Sequence, residues 1–457
     1  MAKQDLTETV IRLAQHRGFV FPGSEIYGGL RNSWDYGPLG VLLKNNLRDA
    51  WWQHYVTSRD DMVGLDAAIL MNPKVWEASG HVDSFNDPLV EDIVTHKRYR
   101  ADHLIEEVTG KSADGLSLEE MAALIKEKKI TSPDGHELTE PRVFNLLFET
   151  FLGAVEGQKE TIYLRGELAQ SMFVDFKRVM ETTRLKIPFG IAQIGKVFRN
   201  EISPGNFTFR TLEFDLMEFE YFVKEADWEK HFDYWLEDMQ TWVIEEIGLT
   251  KEKLRVREHG PDELSHYSKK TVDLEYDTPS GFKELFGLAY RPHDLENHAA
   301  KSGADLQVTD PETKQSYFPQ VIEPTFGLTR LMLMVLFEAY HVEEVKGEPR
   351  VVMRFKPRLA PYQVAVLPLS RQEELLGVAA PLAAQLRQSW SCDYDVTQSI
   401  GKRYRRQDEI GTPYCLTVDF DSLDDKQVTI RERDSMKQER IPLANVEEIL
   451  AEKLASS

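Results

Sequence analysis

Cysteine is almost absent: among 457 residues there are only Cys392 and Cys415. Two thiols supply neither a disulfide framework nor a four-thiolate zinc centre, and they fit a reducing compartment. Long apolar runs are missing too. The longest, Leu331–Phe337, has seven residues, far short of the roughly 18 that announce a membrane-spanning helix. The opening MAKQDLTETVIRLAQHRG puts acids where a signal peptide carries its apolar stretch, so a cytoplasmic protein is expected. Positive charge is scarce: 55 Lys and Arg face 76 Asp and Glu, a net −21. That argues against unspecific nucleic-acid binding, although one local basic groove stays possible. Residues 350–457 balance 16 basic with 16 acidic side chains, so the whole excess lies in the first 349.

Familiar nucleotide and metal signatures are also lacking. Gly190-Ile-Ala-Gln-Ile-Gly195-Lys196 has the spacing of a phosphate loop, but Val197 occupies the magnesium-binding Ser/Thr position and the stretch reads as a strand. No GxGxxG stands at a strand–helix junction, and there is no HExxH. Asn206-Phe-Thr208 matches a glycosylation sequon that a cytoplasmic protein would not use.

What is present is ample core material, with 42% hydrophobic residues and eight Trp. The length is about three times the ~150-residue prior for one domain. Residues 350–457 alternate strand and helix patterns: strand Tyr362–Leu369, helix Arg371–Trp390, strand Asp393–Thr397, basic helix Lys402–Ile410 and strand Pro413–Phe420. The turn Asp421–Lys426, strand Gln427–Arg433 and helix Val446–Leu454 complete an α/β unit with a mixed sheet. Residues 344–361, with three prolines, read as its linker. The first 349 residues read as a separate α+β domain. Strands are expected at Gly64–Met71, Gly190–Arg199, Leu212–Val223, Thr271–Tyr276 and Phe282–Tyr290, forming a largely antiparallel sheet flanked by helices. Helical insertions are expected over about 110–153 and 225–270. In the helix Leu39–Tyr55, Leu43, Leu47, Trp51 and Tyr55 form one stripe. Its own domain and a second subunit are about equally good partners for it.

The informative stretch is Lys196-Val-Phe-Arg-Asn-Glu-Ile-Ser-Pro-Gly-Asn-Phe-Thr-Phe-Arg-Thr-Leu-Glu-Phe214. Two apolar strands flank a loop with Pro204 and Gly205, which makes a long hairpin. Arg199 and Glu201 share one parity, and so do Arg210, Phe214 and Glu218. One sheet face therefore carries two guanidiniums, two carboxylates and a ring. A solvated face would also be charged, but paired Arg forks framing an aromatic suit phosphates and a base better.

This stretch resembles motif 2 of the class II aminoacyl-tRNA synthetases, FRNE followed by a loop and RTLEF. Ile322-Glu-Pro-Thr-Phe-Gly-Leu-Thr-Arg330, with its apolar helix, is similar to motif 3, and Leu39–Tyr55 with the strand running to Pro73 is similar to motif 1. Within the class, the chain resembles the dimeric (alpha-2 type) glycyl-tRNA synthetases. The resemblance rests on YGGLRNSWDYGPLG (27–40), VGLDAAILMNPKVWEASGH (63–81), KRYRADHL (97–104), FNLLFET (144–150), GKVFRNEISP (195–204), IEPTFGLTR (322–330) and SIGKRYRRQDEIGTPY (399–414).

The resemblance implies a glycine–tRNA ligase: glycine and ATP form glycyl adenylate, and the glycyl group passes to the 3′ end of tRNA(Gly). Arg199 would bridge the α-phosphate and the glycine carboxylate, and Glu201 would accept the adenine amino group. Arg210 and Arg330 would hold the γ-phosphate, and Phe214 would stack on the base. Glu284 and Glu323 would coordinate magnesium through ATP. Glu167, Glu218 and Glu323, with Thr325, would surround the glycine ammonium. Selectivity would come from exclusion, with no editing domain. Several carboxylates in one pocket should titrate together, at least one of them raised.

Around Glu167 the family usually reads RPETAQGIF where this chain has RGELAQSMF. Relatives often have Arg at the position of Leu212 and Ser at that of Thr325. Cysteines that some relatives carry near residues 91–95 are absent, so no zinc is expected. His81, His259 and His266 are read as structural or tRNA-contacting, because an ionised carboxylate needs no general base. The C-terminal unit would be the anticodon-binding domain, with Lys402, Arg403, Arg405 and Arg406 on tRNA phosphates and Tyr404 or Tyr414 stacking on a base. Lys97, Arg98 and Arg100 would approach the acceptor stem. A homodimer built partly on Leu39–Tyr55 is expected. The alternatives are a class II synthetase for another small amino acid and a non-catalytic descendant of a synthetase.

Overall fold

A computed structural model describes residues 3–111, 113, 115–153, 159–202, 207–261, 263–265 and 267–455. The motif 2 loop with Pro204 and Gly205, and His266, lie outside the described residues.

The N-terminal helices α1 (Lys3–Arg17) and α2 (Pro38–Trp52) precede a short strand β1 (Met62–Gly64). After the first insertion come α3 (Ala169–Thr183), β2 (Phe189–Phe198), β3 (Glu213–Val223) and α4 (Trp228–Thr241). Then follow β4 (Leu254–Glu258), β5 (Lys270–Thr278), β6 (Gly281–Arg291), α5 (Asp294–Ser302), β7 (Gln320–Gly327) and α6 (Leu328–Ala339). Seven strands form one sheet in the order β4-β5-β6-β7-β3-β2-β1, antiparallel except for the edge pair β1–β2. This is the antiparallel-rich sheet flanked by helices that the sequence implies.

One sheet face is lined with rings. Leu43, Leu47, Trp51 and Tyr55 are all 0% exposed and join Phe219, Trp235, Trp242, Phe286 and Phe326 in the largest core. The stripe on α2 thus packs on its own domain and is not available to a second subunit. The other face meets α3 and α5 through Phe173, Phe176, Phe189, Phe222 and Leu295.

Four expectations change in detail. The expected strand Gly64–Met71 is regular only over Met62–Gly64. The first insertion is only partly helical: beside helix Leu118–Lys128 it holds strand Arg142–Asn145, which pairs with Asn86–Glu91 ahead of it, itself paired with Arg98–Arg100. The turn between these last two strands is tied by Asp92, which accepts from Val94 N and Thr95 N at 2.8 Å and has His136 Nδ1 3.0 Å away. The second segment is helical only in part, because β4 continues the main sheet. The proline-rich segment before the C-terminal unit is no bare linker either: Tyr340–Val345 (β8) and Glu348–Met353 (β9) form a hairpin.

The C-terminal unit contains β10 (Val364–Pro368), α7 (Glu373–Leu386), β11 (Cys392–Tyr394), α8 (Ile400–Ile410), β12 (Tyr414–Val418), β13 (Gln427–Glu432), β14 (Gln438–Pro442) and α9 (Val446–Ala455). The sheet order is β11-β10-β12-β13-β14, parallel in its first half and antiparallel in its second. Helix α8 faces the hairpin. Arg350 Nε donates to Asp408 Oδ2 at 2.8 Å, and Arg17 pairs with Glu409 across from α1. No helix is long and apolar enough to cross a membrane among the described residues.

Candidate active site

Strand β3 alternates strictly. Met217, Phe219, Tyr221 and Val223 enter the aromatic core, while Phe214, Leu216 and Phe222 face the other way and share that parity with Glu218 and Glu220. Glu218 lies opposite Gln193 on β2 and Thr325 on β7, and Glu323 lies opposite Ala289 on β6. On β6 the register slips: Leu274 pairs with Phe286 but Glu275 with Glu284, so Leu285 is an extra residue. That bulge turns Glu284 to the face its simple parity would deny it.

A cleft of about 520 Å³ opens on this face, lined by Arg199, Glu201, Arg210, Phe214, Glu284, Thr325 and Arg330. Seven of the expected site residues therefore converge. Arg199 lies just beyond β2; its Nε donates to Gly166 O at 3.1 Å and its guanidinium lies 5.5 Å from the Phe214 ring. Arg210 Nε and Glu201 Oε2 stand 3.9 Å apart. Arg330 opens α6, pairs through Nη1 with Glu284 Oε1 at 2.9 Å and lies 4.8 Å from the Phe209 ring. Arg330 holds the Glu284 carboxyl below its ordinary range. Glu284 is not paired with Arg291, the partner that a purely structural role would give it.

Behind the cleft lies a buried chamber of charge. Arg291 is 0% exposed; its Nε and Nη2 donate to the two oxygens of Asp294 at 3.0 and 2.7 Å, and Nη1 to Glu323 Oε2 at 2.8 Å. Nη2 also lies 3.5 Å from Glu167 Oε1. Tyr267 covers this guanidinium, its ring centroid 4.0 Å away. Glu167 receives Gln170 Nε2 at 2.6 Å and His81 Nε2 stands 3.2 Å from its other oxygen. Burial pushes the Glu167 carboxyl up, but His81 and Arg291 outweigh it and hold the group well below its ordinary value. Glu323 goes the other way: burial and the Glu167 charge push it up to about 7, against the pull of Arg291. Glu218 and Glu220, both 0% exposed, are raised well above the ordinary range by burial, with Glu323 adding to the effect.

This arrangement divides the expected residues. Glu284 fits a magnesium ion held with a nucleotide, because its side chain is 48% exposed and lines the cleft. Glu323 does not fit that role: it is 5% exposed, absent from the cleft lining and committed to Arg291. Arg291, Asp294, Glu220 and Tyr267 were not expected in the site. For Glu220 the signal was there, since it shares the parity of Glu218 and sits between apolar residues.

The basic helix needs correction. Arg403 is 2% exposed and donates to the carbonyls of Pro368, Leu369 and Asp395, so it cannot reach a phosphate. Arg406 binds Asp395 and Arg405 binds Glu348, both at 2.5 Å, while Lys402 is exposed. Tyr404 bonds Thr417 beneath Arg431, and Tyr414 is buried. Neither ring is free to stack on a base. Lys97 pairs with Asp134 and Arg100 with Asp87 and Asp102. His81 is part of the chamber, and His259 lies 2.7 Å from Asp273.

Comparison with known proteins agrees with this layout. The family model of the anticodon binding domain matches residues 363–453. Proteins named glycine–tRNA ligase from Staphylococcus aureus strains JH9 and Newman are each 52% identical over 461 residues, covering 98% of both chains. A crystal structure of prolyl-tRNA synthetase from Cryptosporidium parvum, in complex with L-proline and AMP, superposes with a TM-score of 0.61. It covers 98% of this chain and 77% of that one at 11% identity, a likeness of fold alone.

Proposed function

The chain belongs to the glycine–tRNA ligase family, and we propose how its own residues carry out that family's reaction. The protein joins glycine to tRNA(Gly) at the expense of ATP, which becomes AMP and pyrophosphate. One observation carries the assignment of roles: seven residues from separated segments converge on one cleft, with a buried carboxylate chamber immediately behind it.

ATP occupies the cleft, its adenine against Phe214 and its exocyclic amine on Glu201. Gly166 O holds Arg199 by Nε alone among the described residues, which leaves the rest of the fork for the α-phosphate and the glycine carboxylate. Arg210 and Arg330 neutralise the γ-phosphate, each exchanging the carboxylate beside it, Glu201 or Glu284, for phosphate oxygens. Glu284 would hold a magnesium ion that comes with ATP, and that ion would supply further neutralisation of the phosphate charge. The ionised glycine carboxylate attacks the α-phosphorus, the new O–P bond forms, and pyrophosphate leaves. No general base is needed. Placement and neutralisation of spreading charge supply the rate. The ammonium lies toward Glu218, Glu323 and Glu167, with Thr325 beside them, and the buried side chains packed around it reject larger amino acids. The 3′-terminal ribose hydroxyl of tRNA then attacks the adenylate carbonyl and releases AMP.

Residues 350–457 take the anticodon arm, with Lys402 and the outer parts of Arg405 and Arg406 as phosphate contacts. A cytoplasmic homodimer completes the reading. Its interface is placed on Ile26, Tyr27 and Leu30, which are 89%, 88% and 62% exposed and lie next to motif 1.

ATP–pyrophosphate exchange with each of the twenty amino acids, without tRNA, tests the reading. Exchange with glycine alone is expected. Exchange with another small amino acid would keep the cleft and overturn the chamber, and no exchange would favour a non-catalytic binding protein.

A further inference from the structure

Glu220 has no task in the reaction as described, yet it stands beside the ammonium site. One oxygen from each of Glu218, Glu220 and Glu323 lies within 4.8 Å of the other two. Glu218 and Glu220 are 0% exposed, and none of their four oxygens has a hydrogen-bond partner among the described residues. The charged groups facing them come from five directions, and Arg165, which donates to the carbonyls of Lys196 and Ala67, adds a sixth. Glu323 comes from β7, Arg291 from β6, Asp294 from α5, Glu167 from the turn before α3, and Arg199 from the cleft side. Arg291 already serves Asp294, Glu323 and Glu167. Arg199 and Arg165 act on Glu218 only from a distance, and among the described residues no cation is hydrogen-bonded to Glu218 or Glu220; two adjacent buried carboxylates so placed cannot both be ionised.

On the premise that the chamber binds glycine, we propose that Glu218 and Glu220 both hold protons while it is empty. The glycine ammonium replaces the Glu218 proton, and Glu220 stays a neutral acid whose O–H steadies the ionised Glu218. The proton departs to solvent as the ammonium enters, so the net charge of the chamber does not change. Glu220 is then a positioning residue, its carboxyl raised well above the ordinary range by burial and by Glu323 nearby. Glycine competes with a proton, so its affinity rises about tenfold per pH unit until Glu218 ionises unaided.

Calorimetry on the full chain tests this. The sulfamoyl analogue of glycyl adenylate and adenosine sulfamate, which lacks the amino acid, are each titrated at pH 7.5 in phosphate and in Tris. The dependence of the heat on buffer ionisation counts protons, and the glycyl compound should release about one more than its partner. An equal count overturns the inference while leaving the glycine site standing. If the glycyl compound binds no tighter than adenosine sulfamate, the glycine reading of the chamber fails instead. A count that vanishes on dialysis against EDTA would mean that a metal, not protons, occupies the trio. Glu220→Leu should raise the glycine KM about tenfold or more with the ATP KM within about twofold, the loss of one hydrogen bond to a charged group. Glu220→Gln, which keeps a neutral donor, should restore most of that loss and retain the proton count. A Gln variant as impaired as the Leu variant would refute the neutral-acid role, and wild-type calorimetry decides the matter even if the Leu variant fails to fold.

Discussion

Phe214 and Glu218 are four residues apart on one strand, yet they belong to regions that handle charge in opposite ways. In the cleft, Arg330–Glu284 and Arg210–Glu201 are partly solvated pairs, open enough for a ligand to take one member from the other. In the chamber, Arg291 is fully enclosed and shared among three carboxylates, while Glu218 and Glu220 have no hydrogen-bond partner among the described residues. The difference lies in solvent. Exposed pairs contribute at most about 1 kcal/mol to a fold, whereas breaking a buried one costs several. The cleft can therefore be optimised for a polyanion at little cost in stability, and the chamber cannot.

The sharpest way to break this comparison is to remove one arginine from each region. Arg291→Met should destabilise the protein by about 3–5 kcal/mol, because Asp294, Glu323 and Glu167 lose their common cation in a dry environment. Urea unfolding measures it, and an unchanged midpoint would mean that water reaches the chamber. Arg199→Ala should behave in the reverse manner, lowering kcat/KM for glycine-dependent exchange about 10²–10³-fold, roughly 2.7–4 kcal/mol. Its unfolding midpoint should stay close to wild type, since only the Gly166 carbonyl loses a donor.

The two regions were not equally legible in the sequence. The cleft was readable because its residues sit in short motifs at fixed spacings, and all seven meet. The chamber was readable only in part. Strand parity reached Glu218 and, carried two residues further, would have included Glu220; Arg291 ends a strand whose bulge at Leu285 breaks any parity count back to Glu284. Exposure was the other blind spot. Lys402, Arg403, Arg405 and Arg406 look alike as a run of charge, yet Arg403 points into the domain and bonds three carbonyls. The α2 stripe fitted two partners equally well until its own sheet was seen to cover it. Resemblance fixed the class of fold; which side of a helix faces water depends on long-range packing.

A smaller effect separates the regions by pH. Glu218, Glu220 and Glu323 have carboxyls raised above their unfolded values. At a pH above the ordinary carboxyl range the unfolded chain releases protons that the folded one retains, so stability falls as pH rises toward the folded values. Glu167, whose carboxyl is lowered, contributes in the opposite sense, gaining as pH rises through its folded value. Glu220→Gln removes one of the raised groups. It should stabilise the ligand-free protein at pH 8 and less so at pH 5, because at pH 8 the unfolded wild type has released a proton that folding must recover, worth about 1.4 kcal/mol per pH unit. Urea midpoints at the two pH values check the sign. A loss at both would mean that Glu220 is ionised and paired.

The smallest expected effect extends the comparison to the basic helix, where Lys402 and Arg403 are neighbours with opposite exposure. Lys402→Ala removes a solvated charge and should leave glycine-dependent exchange and stability unchanged. If Lys402 meets a tRNA phosphate, the variant should raise the tRNA KM about twofold and lower the salt slope of tRNA binding by about 0.7–0.9, one counterion's worth. Arg403→Met removes a buried guanidinium that bonds carbonyls only. It should lower the unfolding midpoint and leave the salt slope intact in whatever protein stays folded. If instead the salt slope drops for Arg403→Met and not for Lys402→Ala, the helix must turn its inner side to the RNA. The C-terminal unit would then have to open around α8 when tRNA binds.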